Sequence, residues 1–171
     1  MSSFSITANH YLRVAYMGNT DLMKKADREK ASESKLSMAD SKALRKAISR
    51  LADYKMDDVK DDDETKKTDF FNTIKAFTDT YNNTIESGSK SQNSSISKLT
   101  KEIKKVSEKY ADKLSDYGIT FDSSGYMSVK NSAVNNISSS KYKDVIGKDS
   151  EYAKELSAIA KKMSKHIDLA V

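Results

Sequence analysis

The sequence predicts a mainly α protein: an elongated antiparallel helical bundle, formed by a helical hairpin and a C-terminal helix, with one small β-hairpin near residues 119–129. Three observations carry the prediction. Apolar residues recur at steps of three and four through several long segments, the spacing of one helix face. The chain has no proline, and its five glycines (Gly18, Gly88, Gly118, Gly125, Gly147) fall between the periodic segments. Charged residues make up 32% of the chain against 37% apolar, so the core is a narrow seam fed by well-placed side chains rather than a broad interior.

Residues 1–36 read as an N-terminal arm or loosely ordered segment, and residues 37–171 as the bundle domain. In the arm, Tyr11, Leu12, Val14, Tyr16 and Met17 are apolar without a clean period. Ser37 with Asp40 three residues later resembles a capping box, so a helix is predicted from Ser37 to about Tyr54, with Leu44, Ala47, Ile48 and Leu51 on one face. The acids Asp57, Asp58, Asp61, Asp62, Asp63 and Glu64 follow, where negative charge suits the start of the next helix. A calcium loop is the alternative, but the bend-making glycine is missing and Lys60 interrupts the acids.

The second helix is predicted over 68–87, with Phe70, Ile74, Phe77, Tyr81 and Ile85 in one stripe, Phe71 beside it and Gly88 as its stop. A polar turn spans 87–95. Ile96, Leu99, Ile103, Val106, Tyr110, Leu114 and Tyr117 then predict one long helix with coiled-coil-like spacing. Gly118 supplies a left-handed stop, Ile119 and Phe121 alternate around Thr120, and Asp122 to Gly125 form a turn. Ala133, Val134 and Ile137 suggest a short helix, and Tyr142, Val145 and Ile146 a further turn. The last helix is predicted from Asp149 or Ser150 to about Asp168, with Tyr152, Leu156, Ile159, Met163 and Ile167 in register.

The chemistry this composition permits is limited. Cysteine is absent, which removes disulfides, thiolate metal sites and thiol nucleophiles. His10 and His166 are far apart and in no ligand spacing, and the chain has no nucleophile elbow, phosphate loop or dinucleotide fingerprint. Asp112 with Asp116 and Glu151 with Glu155 are helix-spaced acids with nothing beside them to raise a pKa. The expectation is therefore a non-enzymatic protein with no cofactor, no metal and no small-molecule substrate. The N-terminus lacks a basic start followed by an apolar run, and no stretch reaches the length of a membrane span. These features predict a cytoplasmic protein, or one exported by a route that needs no cleaved signal peptide.

Interaction is the remaining class. Of the nine tyrosines, Tyr11, Tyr16 and Tyr126 lie off the helical stripes and are the candidate interface residues, acting on a protein partner or in self-association. The net charge is +5, with 12 basic and 12 acidic residues in 1–64 and 18 and 13 in 65–171. Lys98, Lys101, Lys105 and Lys109 share a stripe, which supports an alternative reading as a basic helical nucleic-acid-associated protein, against a solvated face with Glu102, Glu108 and Asp112 nearby.

Two stretches together carry a resemblance. Phe77-Thr78-Asp79-Thr80-Tyr81-Asn82-Asn83, and Leu114 to Val129 with its structural hairpin residues Gly118, Ile119, Phe121 and Gly125, are similar in order to the C-terminal region of the flagellar hook-associated protein 2 (filament cap protein) family. Lys141 to Gly147 is a fainter third match, so the likeness spans roughly residues 70–165. The family's middle β-rich domains have no counterpart here. What the resemblance implies is a helical structural module of a flagellar or secreted appendage, acting by helix packing within an assembly.

Overall fold

The computed structural model describes residues 28–55, 64–130 and 144–165. The chain divides into two compact units, residues 1–32 and 33–171. Of the first, residues 28–32 are described and begin with a helical turn. The second unit is mainly helical: α1 (Glu33–Ala52), α2 (Glu64–Lys90), α3 (Ser94–Lys109), α4 (Ala111–Ser115), β1 (Ile119–Phe121), β2 (Met127–Val129) and α5 (Glu151–Lys165).

Four long helices close a ring. α1 packs against α2 and α5, and α3 packs against the same two helices from the other side. Each helix runs antiparallel to its neighbours. The end of α1 meets the start of α2, where the Tyr54 hydroxyl donates to the Lys66 carbonyl at 3.1 Å and the Tyr54 and Phe70 rings lie 5.0 Å apart. The end of α3 likewise meets the start of α5. The predicted hairpin plus C-terminal helix is thus joined by α1 as a fourth member, because Leu44, Ile48 and Leu51 need the same seam as the other stripes.

The apolar spacing sorted the core well. Phe70, Ile74, Phe77, Tyr81 and Ile85 on α2, Ile96, Leu99 and Ile103 on α3, and Tyr152, Leu156, Ile159 and Met163 on α5 are all buried. Covering each such side chain contributes about 1.5–3 kcal/mol before entropy is subtracted.

Boundaries differ from expectation at four places. α1 begins at Glu33, so Ser37 and Asp40 are buried inside a helix instead of capping one. With no glycine or proline between 33 and 37, nothing interrupts the helix there. α2 passes through Gly88 to Lys90, and the turn shrinks to residues 91–93. Gly88 is chosen for closeness, since a Cβ there would run into the Thr100 hydroxyl and the Met163 methyl. Asn93 caps α3, its Oδ1 accepting from Ser95 N at 2.9 Å and Ile96 N at 3.3 Å. The long third helix breaks at Tyr110 (φ −107°, ψ 10°), and Ser107, not Val106, is buried on its inner side.

At the far end Gly118 has φ 71°, and its N–H donates to Ser115 O at 2.9 Å, which ends α4 and starts the hairpin. The strands pair antiparallel, Ile119 with Val129, Thr120 with Ser128 and Phe121 with Met127. Gly125 N–H donates to Asp122 O, and Gly125 has φ 80°, a type I turn followed by a glycine bulge. The Asp122 carboxylate accepts from Ser124 N at 2.8 Å and Tyr126 N at 2.9 Å. Gly118→Val should lower stability by about 2 kcal/mol, since a β-branched residue resists positive φ. The measurement is a urea unfolding midpoint, with circular dichroism showing unchanged helix content. At α5, Ser150 is the N-cap: its Oγ accepts from Ala153 N at 3.1 Å.

Candidate functional site

The site grows from two neighbouring residues on α2. Asn82 stands beside β2 and uses its whole amide. Its Nδ2 donates to Met127 O and its Oδ1 accepts from Met127 N, both at 2.8 Å. Strand pairing leaves the Met127 N–H and C=O pointing away from β1, so the Asn82 side chain occupies the place of a third strand for one residue. Tyr81, one residue earlier, is fully buried, and its hydroxyl donates to Gly125 O at 3.3 Å. Lys104 on α3 completes the clamp, donating to Ser124 O at 2.9 Å, with its ammonium 5.9 Å from the centre of the Tyr126 ring.

The Gly125 carbonyl can only accept, so Tyr81 donates its proton there and ties the hairpin to α2. On the side of the core toward α5, the Ser107 hydroxyl lies 3.2 Å from the Tyr152 hydroxyl, a buried polar contact that joins α3 to α5. Beside it, the Tyr110 hydroxyl lies within hydrogen-bond reach of both Glu155 at 3.1 Å and Glu151 at 3.2 Å and donates its one proton between them. Lys109 bonds Glu155 at 2.8 Å, which holds that carboxyl below its ordinary range and the ammonium above its own. This pair is exposed, so its contribution to stability is small.

Burial pushes the Tyr81 hydroxyl up to about 12, against the opposing Ser107 bond and with help from the Glu108 charge. Burial also pushes Tyr117 up to about 12 and raises Tyr152 further. The Tyr117 hydroxyl has no hydrogen-bond partner among the described residues. Each folded-state value is raised, so the unfolded chain loses these protons first. Stability is full below about pH 10, the ordinary tyrosine value, and falls as pH rises from there through about 12. An alkaline titration should show tyrosinate absorbance for these residues appearing together with loss of helix.

The sequence-predicted sites are placed unevenly. Tyr126 is half-buried on the hairpin, against Lys104. Tyr11, Tyr16, His10 and His166 lie outside the described residues, as do most of the acidic run and the segments around Ile137 and Tyr142. Ile119 is fully buried and Phe121 half-buried, its ring 6.3 Å from Tyr81 in an edge-on contact. Lys98, Lys101 and Lys105 are exposed, whereas Lys109 is engaged by Glu155, so the proposed basic stripe has one member already neutralised. Glu151 and Glu155 serve Tyr110. Among the described residues no group of three or more His, Asp or Glu could hold a metal ion, and no helix is long and apolar enough to cross a membrane.

Sequence reasoning missed Asn82 as the clamp. Its signal was present in the Tyr81-Asn82 pair, but the partner lies 45 residues away.

Together these features define a four-helix bundle bearing a helix-clamped β-hairpin. Comparison with protein-family models, with curated proteins and with solved structures returned no match.

Proposed function

We propose that this protein is a non-enzymatic structural module, of the kind the filament-cap resemblance implies, that associates with copies of itself or with subunits of a flagellar or secreted appendage. One observation supports the reading above others. The two stretches that carry the resemblance meet in space, Tyr81 and Asn82 bonding Gly125 and Met127 across 44 and 45 residues. Helical periodicity alone gives no reason for that meeting.

The clamp fixes the hairpin against the bundle, and its outer strand face carries Thr120 and Ser128, exposed and 2.9 Å apart, in the manner of a surface preset for docking. The reading is tested by sedimentation velocity of the purified protein, and by its retention on purified filament and cap subunits. Because the chain has no cysteine, Ser123→Cys gives a single cross-linking position at the hairpin tip. The expected result is oligomerisation or retention, with Thr120→Lys plus Ser128→Lys weakening it while helix content is unchanged. A monomer at all concentrations that no appendage subunit retains would remove the reading.

A further inference from the structure

The groove between α1 and α5 gathers six basic side chains on one face of the described bundle. Its walls carry Lys42, Arg45 and Lys46 from α1, Lys154 and Lys161 from α5, and Lys148 just before it. Ala52, Ala153 and Ala158 keep the floor shallow and open, and the Ser49 and Ser157 hydroxyls line it. The groove is present as two adjoining spaces of about 480 and 530 Å³. Lys154 has Asp149, 3.7 Å away, but Lys42, Arg45, Lys46, Lys148 and Lys161 have no carboxylate partner among the described residues. Asp53, the one acid on its wall, sits at one end beside Ser49.

The same chain contains the complementary charge. Residues 57–64 hold six acids and a single lysine. The equal count of acids and bases in residues 1–64 therefore conceals a segregation, bases along α1 and acids directly after it. We infer that the α1–α5 groove of one copy receives the acidic segment 57–64 of a second copy, a head-to-tail contact that would build rings or filaments.

At the Lys42–Lys46 end of the groove, reach argues for a second copy over the same chain. Lys42 lies ten residues before the end of α1, about 15 Å along the helix. The eight residues between Lys55 and Glu64 extend about 30 Å at most. A path down the groove and back to the start of α2 would consume all of it, leaving nothing for the sideways step from one side of α1 to the other. A segment from a neighbouring molecule has no such return to make.

The inference rests on the self-association proposed above and names one surface for it. The test uses two full-length variants: Lys42→Glu/Arg45→Glu/Lys46→Glu, which keeps the acidic segment, and Asp57→Asn/Asp58→Asn/Asp61→Asn/Asp62→Asn/Asp63→Asn, which keeps the groove. Lys42, Arg45 and Lys46 are exposed, and circular dichroism checks the fold of both variants. Each variant alone should associate about tenfold or more weakly than wild type, as expected for several exposed ion pairs lost together. Their equimolar mixture should form a one-to-one heterodimer by sedimentation velocity, dispersed by raised salt. Wild-type association that both variants retain would overturn the groove contact and leave the proposed function standing. Loss in the groove variant with no recovery on mixing, or binding of a duplex oligonucleotide that outcompetes the heterodimer, would overturn the acidic segment as occupant. A wild type that never self-associates would overturn the inference, while retention on appendage subunits would still decide the function.

Discussion

Asn82→Ala should lower the unfolding free energy by about 2–3 kcal/mol, because it leaves both the N–H and the C=O of Met127 without a partner at a part-buried position. The loss exceeds that of an ordinary surface hydrogen bond, since water reaches the far side of β2 poorly beside α2. Its signature is local. Amide exchange at Met127 and along the hairpin should accelerate more than exchange in α1 or α5, which the hairpin does not hold. Asn82→Asp separates the two bonds: the oxygen still accepts from Met127 N, but no donor remains for Met127 O, and an intermediate loss is expected. Equal exchange rates in wild type and Asn82→Ala would show that the hairpin is held by Tyr81 and the core alone. Loss of association in the same variant, at a temperature where the bundle remains folded, would connect the clamp to the proposed interface.

Gly88→Ala is expected to destabilise by about 1–3 kcal/mol even though alanine is the better helix former by about 1 kcal/mol. The new methyl group has no room: it would meet the Thr100 hydroxyl and the Met163 methyl where α2, α3 and α5 converge. Thr100 cannot easily turn aside, because it is buried and its hydroxyl donates to Ile96 O at 2.9 Å. Met163, a flexible side chain, can yield. Gly88→Ala with Thr100→Ala should therefore recover part of the loss, and Gly88→Val should be worse than Gly88→Ala. Chemical denaturation of the four proteins checks the order. A stabilising Gly88→Ala would mean that helix propensity, rather than close packing, governs this position.

Gly88 also illustrates where sequence and structure part. A glycine after a periodic segment has two meanings, a left-handed stop or a place where two backbones approach. Gly118, with φ 71°, is the first and Gly88 the second. Nothing local distinguishes them, because the atoms that decide the matter at Gly88 belong to Thr100 and Met163. Ser37 and Asp40 repeat the lesson. The spacing suits a cap, but a cap requires the chain to leave the helix, and residues 33–36 continue it. Ser107 is the third case. A polar residue one place after Val106 has no claim on the core until Tyr152 brings a hydroxyl to it from another helix.

The candidate site divides the same way. The turn chemistry of Asp122 to Gly125, the alternation of Ile119 and Phe121 and the Tyr81-Asn82 pair were each legible, since each depends on residues within a few positions. That Asn82 serves as a surrogate strand was not, because its partner is fixed by how α2 and the hairpin pack. The basic groove was hidden for a different reason. Net charge over a window averages the cations of α1 with the acids that follow it, and only the pairing of α1 with α5 places Lys42, Arg45 and Lys46 across from Lys154 and Lys161.

By itself the sequence determined the helical class, the apolar stripes, the α4 stop and the hairpin turn, all short-range consequences of side-chain spacing and of glycine at positive φ. Tertiary structure alone decided that α1 completes a ring of four, that Gly88 is a contact and not a terminus, and that Asn82, Tyr81 and Lys104 grip the hairpin. Those outcomes rest on atoms brought together from distant parts of the chain, and such proximity has no periodic trace in the order of residues.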